Sequence, residues 1–414
     1  MAADKLKRVP ELLAPAGDFE KLKAAVHFGA DAVYIGGARF GLRKASKNFE
    51  NQDLEQAVAF AHEHGVRVHV TLNIVPHDRD LIGLDEYLEF LDRIGVDAVI
   101  ISDPGIFMRT REKTNLEIHL STQASITNSD TIRFWANLGA RRIVLARELS
   151  LEEIREIRRR IPEDVELETF VHGAMCISYS GRCLLSNYMT GRDANQGDCA
   201  QACRWKYHLV EENRSGEYFP IEEAEGGTFL MNSKDLCLLP HLGALTEAGI
   251  NSFKIEGRVK TQYYVSTVIH AYREALDALA AGRLDAERVQ SLLDEIKKTS
   301  HRSFTTGFFF GNPGREGQNY RSSAYIQSYD FVGVVKGYDE KSGLALVEER
   351  NKFALGDSLE IFGRKPGFLS LTVGKIYDSE GAELSEANVP RKFFRIPVAE
   401  PVEVGDILRK PREA

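Results

Sequence analysis

FGADAVYIGG, residues 28–37, is the stretch on which the fold turns: a glycine just past an amphipathic segment, then an apolar run ending in Gly-Gly. The same arrangement recurs in HGVRVHVTLN (64–73), IGVDAVIISD (94–103), LGARRIVLAR (138–147) and AGINSFKIEG (248–257). Glycine after a helix supplies the left-handed C-cap without a Cβ clash, and the β-branched run that follows reads as a strand buried on both faces. Working outward, the intervening stretches FEKLKAAVHF (19–28), DLEQAVAFAHEH (53–64) and LEEIREIRRR (151–160) are amphipathic at helical spacing. LLAPAG (12–17), EIHLSTQA (117–124) and VELETFVHG (165–173) add three more strands. Eight strands alternating with helices over about 280 residues predict an α/β fold, a (β/α)8 TIM-like barrel. A doubly wound open sheet is the alternative, because alternation alone does not prove closure. GGARFG (36–41) is a poor dinucleotide fingerprint, and no P-loop is present.

Residues 174–240, between the seventh and eighth strands, break the rhythm. A loop this long in a compact domain is usually functional, and in a barrel it lies on the C-terminal face where active sites are built. After the helical YYVSTVIHAYREALDALAAG (263–282), short alternating runs separated by Gly, Asp and Pro predict a small antiparallel β-barrel. The expected division is a barrel domain over 1–285, a connector over 286–324 that contains HRSFTTGFFFG (301–311), and the small β-barrel over 325–414.

Hydrophobic content of 43% and charged content of 28% are ordinary for a globular chain of 414 residues. No apolar run approaches the roughly 20 residues needed to span a bilayer. MAADKLKRVPELLAPAG lacks the apolar core and cleavage site of a signal peptide, so a cytoplasmic protein without a membrane partner is expected. The net charge of −8 argues against a surface coated with nucleic acid, although a local basic patch fits. GRKPG (363–367), PRKFFR (390–395) and LRKPREA (408–414) are candidates for gripping RNA, set against the reading of a solvated surface with scattered charge.

Four of the five cysteines fall within VHGAMCISYSGRC (171–183) and GDCAQACR (197–204), beside His172. The spacing is Cys176-x6-Cys183-x15-Cys199-x3-Cys203, with Cys237 a further 33 residues on. Zinc sites favour paired C-x2–4-C knuckles, and only Cys199/Cys203 has that form. Loose, unequal spacing of four thiols suits a [4Fe–4S] cluster better, with Gly173, Gly181 and Gly197 allowing backbone N–H groups near its sulfurs. Zinc, a redox disulfide and inert buried cysteine stay open beside it. Cys203 is preferred as the fourth ligand on proximity, with Cys237 the alternative.

ETFVHGAMCISYSGRCLLSNY (168–188) resembles the signature of the U32 peptidase family, and so do NQGDCAQACRWKY (195–207), MNSKDL (231–236), SFKIEGRVK (252–260) and RSFTTGF (302–308). ELLAPAGDFEKLKAAVHFGADAVYIGG (11–37) is equally characteristic, so the likeness covers essentially the whole chain. Within the family the chain looks most like bacterial proteins that hydroxylate tRNA wobble uridine at C5 with prephenate. Relatives hydroxylate 23S rRNA or ubiquinone, and cysteines of this motif bind a [4Fe–4S] cluster. The resemblance implies a (β/α)8-like domain with a C-terminal β-barrel, tRNA held at its anticodon region, and possible need for a partner protein or electron donor. Cys237 departs from close relatives lacking a cysteine there, whereas quinone-hydroxylating ones use that region for a ligand.

The family name implies proteolysis, which is one alternative function; a non-catalytic iron–sulfur scaffold serving an RNA or quinone hydroxylase is another. HEHG (62–65) is not H-E-x-x-H, no G-x-S-x-G occurs, and a Cys176–His172 dyad leaves the other thiols unexplained. For hydroxylation, polar groups near strand ends are the candidates. His172, Glu168, Lys254, Glu256 and Arg258 are the proposed catalytic set, and Tyr34, Arg39, Arg43, Asn73 and Gln123 the substrate-binding set; Asp103 and Glu148 also stand near strand ends. Against these stands an ion pair of Glu168 with Lys254 or Arg258 across the barrel, and an ordinary buried His172. A dicarboxylate such as prephenate needs an Arg or Lys clamp, from Lys254 and Arg258 or from Arg39 and Arg43.

Overall fold

A computed structural model describes residues 9–42, 48–205, 233–319, 324–365 and 367–412. The first half alternates strand and helix: β1 (Glu11–Pro15), α1 (Phe19–His27), β2 (Ala32–Ile35), α2 (Asn51–Glu63), β3 (Arg67–Leu72), α3 (Leu84–Arg93) and β4 (Ala98–Ile101). It continues through α4 (Pro104–Lys113), β5 (Glu117–Leu120), α5 (Ser129–Asn137), β6 (Arg142–Val144), α6 (Leu151–Arg160) and β7 (Glu166–Ala174). The glycines of the recurring stretch do what their position demands. Gly29, Gly65, Gly95, Gly139 and Gly249 have φ of 91°, 72°, 82°, 105° and 85°, each ending one helix before the next strand. Starts are capped as well: Asp18 accepts the Lys21 N–H of α1, Asp103 that of Ile106 in α4, and Ser150 with Glu153 forms a capping box on α6.

Past the cysteine segment come α7 (Leu185–Thr190), β8 (Asp235–Cys237), α8 (Leu242–Glu247), β9 (Ser252–Ile255), α9 (Gln262–Ala280), α10 (Ala286–Ile296) and β10 (Phe304–Thr305). Seven parallel strands run in order from β1 to β7, and β9 closes the cylinder by pairing with β1 (Leu13↔Lys254) and with β7 (Glu168↔Ser252). That double pairing makes a closed eight-stranded parallel barrel and removes the open-sheet alternative. The short β8 lies antiparallel on the overhanging end of β7, and β10 adds beside it, so the HRSFTTGF segment is tied to the barrel rim. The expected connector over 286–324 begins as the helix α10, packed against α9.

The remaining strands are β11 (Tyr329–Asp339), β12 (Leu344–Glu349), β13 (Phe353–Ala354), β14 (Ser358–Phe362), β15 (Leu369–Thr372), β16 (Ile376–Tyr377), β17 (Glu383–Leu384), β18 (Glu386–Ala387), β19 (Phe393–Pro397) and β20 (Ile407–Pro411). They form an eight-stranded antiparallel sheet in the order β15-β14-β20-β11-β12-β19-β16-β17, with β13 and β18 paired separately. It curls around its own core of Val332, Val347, Leu359, Phe394 and Leu408, as a half-barrel. The sheet docks on the outer helices: Phe331 stacks on Tyr263 at 5.6 Å, and the fully buried Arg409 bridges Glu295 and Glu360 at 2.6 and 2.7 Å. Arg350 and Arg391 both reach Glu20 of α1. No helix among the described residues is long and apolar enough to cross a membrane.

Candidate active site

The two mouths of the barrel differ in kind. At the N-terminal mouth the first residues of five strands, Glu11, Arg67, Glu117, Arg142 and Glu166, form a mesh of ion pairs, with Arg142 to Glu166 at 2.7 Å and Arg67 to Glu117 at 3.3 Å. One layer higher, Glu168 is fully buried and accepts from Lys254 Nζ at 2.9 Å and Arg142 Nη1 at 3.2 Å. Burial opposes its charge, but Lys254 and Arg142 outweigh that and hold the carboxyl down at about 2. Glu168 is therefore the fixed counterion of Lys254, whose ammonium also lies 4.6 Å from the Tyr34 ring centre.

Above Lys254, at the C-terminal mouth, opens a pocket of about 450 Å3 lined by Tyr34, Thr71, Asn73, Ser121, Gln123, Phe170, Lys254, Glu256 and Arg258 among others. Each polar member is aimed by a neighbour. Tyr34 donates to the Ile255 carbonyl at 2.9 Å and lies 3.4 Å from Glu256 Oε2. Asn73 accepts from the Leu42 N–H and donates to Gln123 Oε1 at 3.2 Å. Arg258, 3% exposed, donates to Thr71 Oγ1 at 2.7 Å and Asn48 Oδ1 at 3.1 Å. Its guanidinium passes across Gly36, where a Cβ would stand 2.6 Å from Nη2. Seven of the predicted residues thus converge in fact: Tyr34, Asn73, Gln123, Lys254, Glu256 and Arg258 line the pocket, and Glu168 sits beneath it.

A second, wider chamber of about 1280 Å3 opens outward from the first and shares Leu42, Gln123 and Glu256 with it. Cys176, Cys183, Cys199 and Cys203 all line it, with Gly181 and Gly197. The loop is pinned from several sides. Glu148 accepts from Ser180 N at 2.7 Å and Oγ at 3.1 Å, Asn195 exchanges two hydrogen bonds with the Cys183 backbone, and Val75 donates to the Asn195 carbonyl. The Gln201 N–H points at Cys199 Sγ, 3.4 Å away. Burial pushes the Cys203 thiol up; Arg204 works the other way, and the fields of Cys176, Cys199 and Cys183 add to the rise. Among the described residues no three Cys, His, Asp or Glu side chains close on a single metal ion.

Cys237 stands apart from these four. It is buried on β8, with Sγ 3.9 Å from the Tyr272 hydroxyl. His172 is its neighbour there rather than a member of the chamber. Pairing of β7 with β9 slips by one residue between Phe170 and His172, and a one-residue slip sends a side chain to the opposite face of a strand. Glu168 and Phe170 therefore face the barrel interior while His172 packs among Tyr264, Tyr272 and Phe304. Burial in that aromatic box, helped by Lys260 and His301, lowers its pKa to about 3, so the ring is neutral. Gly173 has φ 112° and lets Glu256 approach, since a Cβ would sit 2.5 Å from the Glu256 carbonyl oxygen.

Other expected residues serve elsewhere. Asp103 is the cap of α4 and Glu148 the anchor of the cysteine loop. Arg39 is exposed, bonded to the Ile82 carbonyl and 4.7 Å from the Phe40 ring centre. Arg43 and residues 231–232 of MNSKDL lie outside the described residues, as do 206–207, 366, 413 and 414. The basic groups of the C-terminal sheet are largely balanced within the chain: Lys365 pairs with Glu403, Lys410 with Asp357, Arg391 with Glu20 and Glu348, and Arg395 donates to the Asp378 carbonyl. What sequence reading missed are the cations of the outer chamber. Arg147 donates to the Ala174 carbonyl, Arg204 to Met175, and Lys260 lies 3.9 Å from the Tyr325 ring centre. A signal existed, because Arg147 and Lys260 end the very strand runs quoted above, LGARRIVLAR and SFKIEGRVK.

The site offers little to a peptidase. The Ser186 hydroxyl donates to the Arg192 carbonyl and accepts from Ala200 N, Ser180 is held by Glu148, and His172 packs among aromatic rings outside the chamber that the four loop cysteines line.

Comparison with known proteins follows the same outline. The sequence pattern of Peptidase family U32 matches residues 17–319, and that of the Peptidase family U32 C-terminal domain matches residues 327–409. The chain is 42% identical over 406 residues to tRNA hydroxylation protein P1 of Bacillus subtilis, covering 98% of this chain and 96% of that one. It is 38% identical to tRNA hydroxylation protein P of Escherichia coli, covering 96% of each. A collagenase of Porphyromonas gingivalis is 32% identical over 96% of this chain and 97% of its own.

Proposed function

The chain belongs to peptidase family U32, and within that family we propose that it is a tRNA hydroxylase converting wobble uridine to 5-hydroxyuridine, with prephenate as oxygen donor and a [4Fe–4S] cluster on Cys176, Cys183, Cys199 and Cys203. The observation that carries the reading is the junction of two chambers. Four thiols line the outer one, and the inner one holds Lys254 and Arg258 within reach of the shared Glu256. Four cysteines lining one chamber at unequal spacing, with a backbone N–H aimed at Cys199 Sγ, suit a cluster better than zinc. When bound, the cluster supplies the electron transfer that side chains lack.

The protein's own residues do the rest. Lys254 and Arg258 bind the carboxylates of the donor as charge-assisted partners. Glu168 holds Lys254 in place, and Thr71 and Asn48 orient Arg258. Asn73 and Gln123 present amide edges to a splayed base at the junction, the manner in which unpaired RNA bases are read. Two nearly full-length relatives named for tRNA hydroxylation support RNA over peptide. The collagenase relative favours a second reading, peptidase activity beside a structural cluster.

The test is anaerobic purification with iron and sulfide quantitation, followed by tRNA nucleoside analysis in a deletion strain complemented with wild type or Cys176→Ala. About four irons and four sulfides per chain, with 5-hydroxyuridine restored only by the wild type, is the expected result. A chain without iron, or hydroxyuridine unchanged by the deletion, overturns it. Peptide cleavage that survives Cys176→Ala would establish the second reading.

A further inference from the structure

The cysteine loop has an outer side as well as a chamber side. Outward it carries large apolar groups in water: Tyr188 is 85% exposed, Leu184 75%, Tyr179 53% and Trp205 43%. Across the mouth stand Tyr325 and Val259, also exposed, and both line the outer chamber. Scattered exposed side chains need no explanation, but two at the chamber and four more on the loop whose cysteines line it mark a contact surface. Its charge selects the partner. Among the described residues, Arg147, Arg204 and Lys260 line the chamber against the carboxylate of Glu256. Their contacts include carbonyls and rings, and Asp235 lies in the field of Lys260 and Arg204. On the loop, Arg182 is exposed and Arg192 pairs with Asp198. This positive mouth belongs to a chain of net charge −8 in which Lys365 and Lys410 of the C-terminal sheet are already paired.

We infer that this rim is the docking surface for an unstacked, single-stranded stretch of RNA, with Tyr179, Tyr188 and Trp205 stacking bases on either side of the entering nucleotide and Arg204 and Lys260 holding its phosphates. Aromatic platforms over a basic channel are how single strands are gripped, whereas a duplex keeps its base faces covered and gains only the phosphate contacts. The inference rests on the hydroxylase reading for the entry of a base into the chamber, but the surface itself is separately testable.

Trp205 supplies the probe, because the chain has two tryptophans and Trp135 packs against Phe107 and Phe134. The full-length holoprotein is titrated with a hairpin RNA bearing an unpaired uridine loop and with a blunt duplex of equal length. Expected are hairpin binding at least ten-fold tighter than duplex, quenching of tryptophan emission that disappears in Trp205→Phe, and roughly ten-fold weaker binding in Tyr188→Ala. Lys260→Gln should reduce the salt slope, −log K against log[salt], by about 0.7, one phosphate on a single strand. Equal affinity for hairpin and duplex, or unchanged affinity in Tyr188→Ala and Trp205→Ala, overturns the inference. So does loss of self-association in those variants with RNA binding intact, which makes the rim a protein contact. If the hairpin binds as expected but no uridine is ever hydroxylated, the function reading falls and the surface stands. If hydroxylation proceeds and the rim variants bind RNA like wild type, the reverse holds.

Discussion

Replacing Glu168 by glutamine tests the foundation of the inner pocket. The side chain is fully buried, so its charge survives only because Lys254 and Arg142 are there. Its carboxyl titrates at about 2 in the fold against 4.5 in an unfolded chain. At about 1.4 kcal/mol per tenfold change in proton affinity, the native environment favours the ionised form by about 3 kcal/mol. Breaking one partner of a buried pair costs about 3–5 kcal/mol by general experience, which agrees. Glutamine has the shape of the protonated acid and leaves the Lys254 ammonium without its counterion, so Glu168→Gln should lose about 3 kcal/mol at pH 7. The sign of the pH dependence follows from the lowered pKa. Stabilisation by Glu168 is complete above 4.5 and fades as the pH falls toward 2, so the gap between wild type and variant should shrink to less than half by about pH 3. Urea unfolding of both proteins at the two pH values measures it. A gap under about 1 kcal/mol at pH 7, or one equally large at pH 3, would refute the account of Glu168 as the counterion of Lys254.

Gly36→Ala places a Cβ 2.6 Å from Arg258 Nη2 and must push the guanidinium off Thr71 and Asn48. Loss of that aim is worth about 1.5 kcal/mol or more, so 5-hydroxyuridine in tRNA should fall at least ten-fold while the melting temperature stays within a few degrees; full activity would show that Arg258 has no part in the chemistry. His172, neutral with a pKa lowered to about 3, withholds a proton that the unfolded chain takes up near its ordinary pKa of about 6.5. Its environment therefore costs no stability above about 6.5 and an increasing amount as the pH falls toward 3. His172→Phe should accordingly unfold at a lower pH than wild type, and imidazole nitrogen shifts in the wild type should remain those of the neutral ring at pH 5; a protonated ring at pH 5 excludes the aromatic box described here.

Much of the architecture is local chemistry and can be read along the chain. The five cap glycines and the apolar runs after them are set by interactions between near neighbours, and each became a helix end and a barrel strand. The cysteines were legible for the same reason: four of them stand on one loop, so no long-range pairing was needed to bring them to one mouth. Strand-end position also picked out Tyr34, Asn73, Gln123, Lys254, Glu256 and Arg258, which all line the inner pocket.

What pattern could not supply was which way a side chain turns. Strands of a barrel are covered on both faces, so β7 is apolar or buried along nearly its whole length and lacks the alternation that tells inside from outside. His172 shares the parity of Glu168 and Phe170, yet the slip in pairing with β9 turns it into the aromatic layer beneath α9. Arg142 was overlooked because its partners, Glu11, Glu166 and Glu168, lie on two other strands, one of them 131 residues away. The basic runs of the C-terminal sheet looked available for RNA because the carboxylates that balance them, Glu20, Glu295 and Glu360 among them, come from other segments. The sequence by itself determined the succession of helices and strands and the gathering of thiols on one loop, since these depend on residues a few positions apart. Closure through β9, the inward or outward facing of each polar group, and the pairing that leaves positive charge at the chamber mouth were decided only by the tertiary structure, because each depends on contacts between residues far apart in the chain.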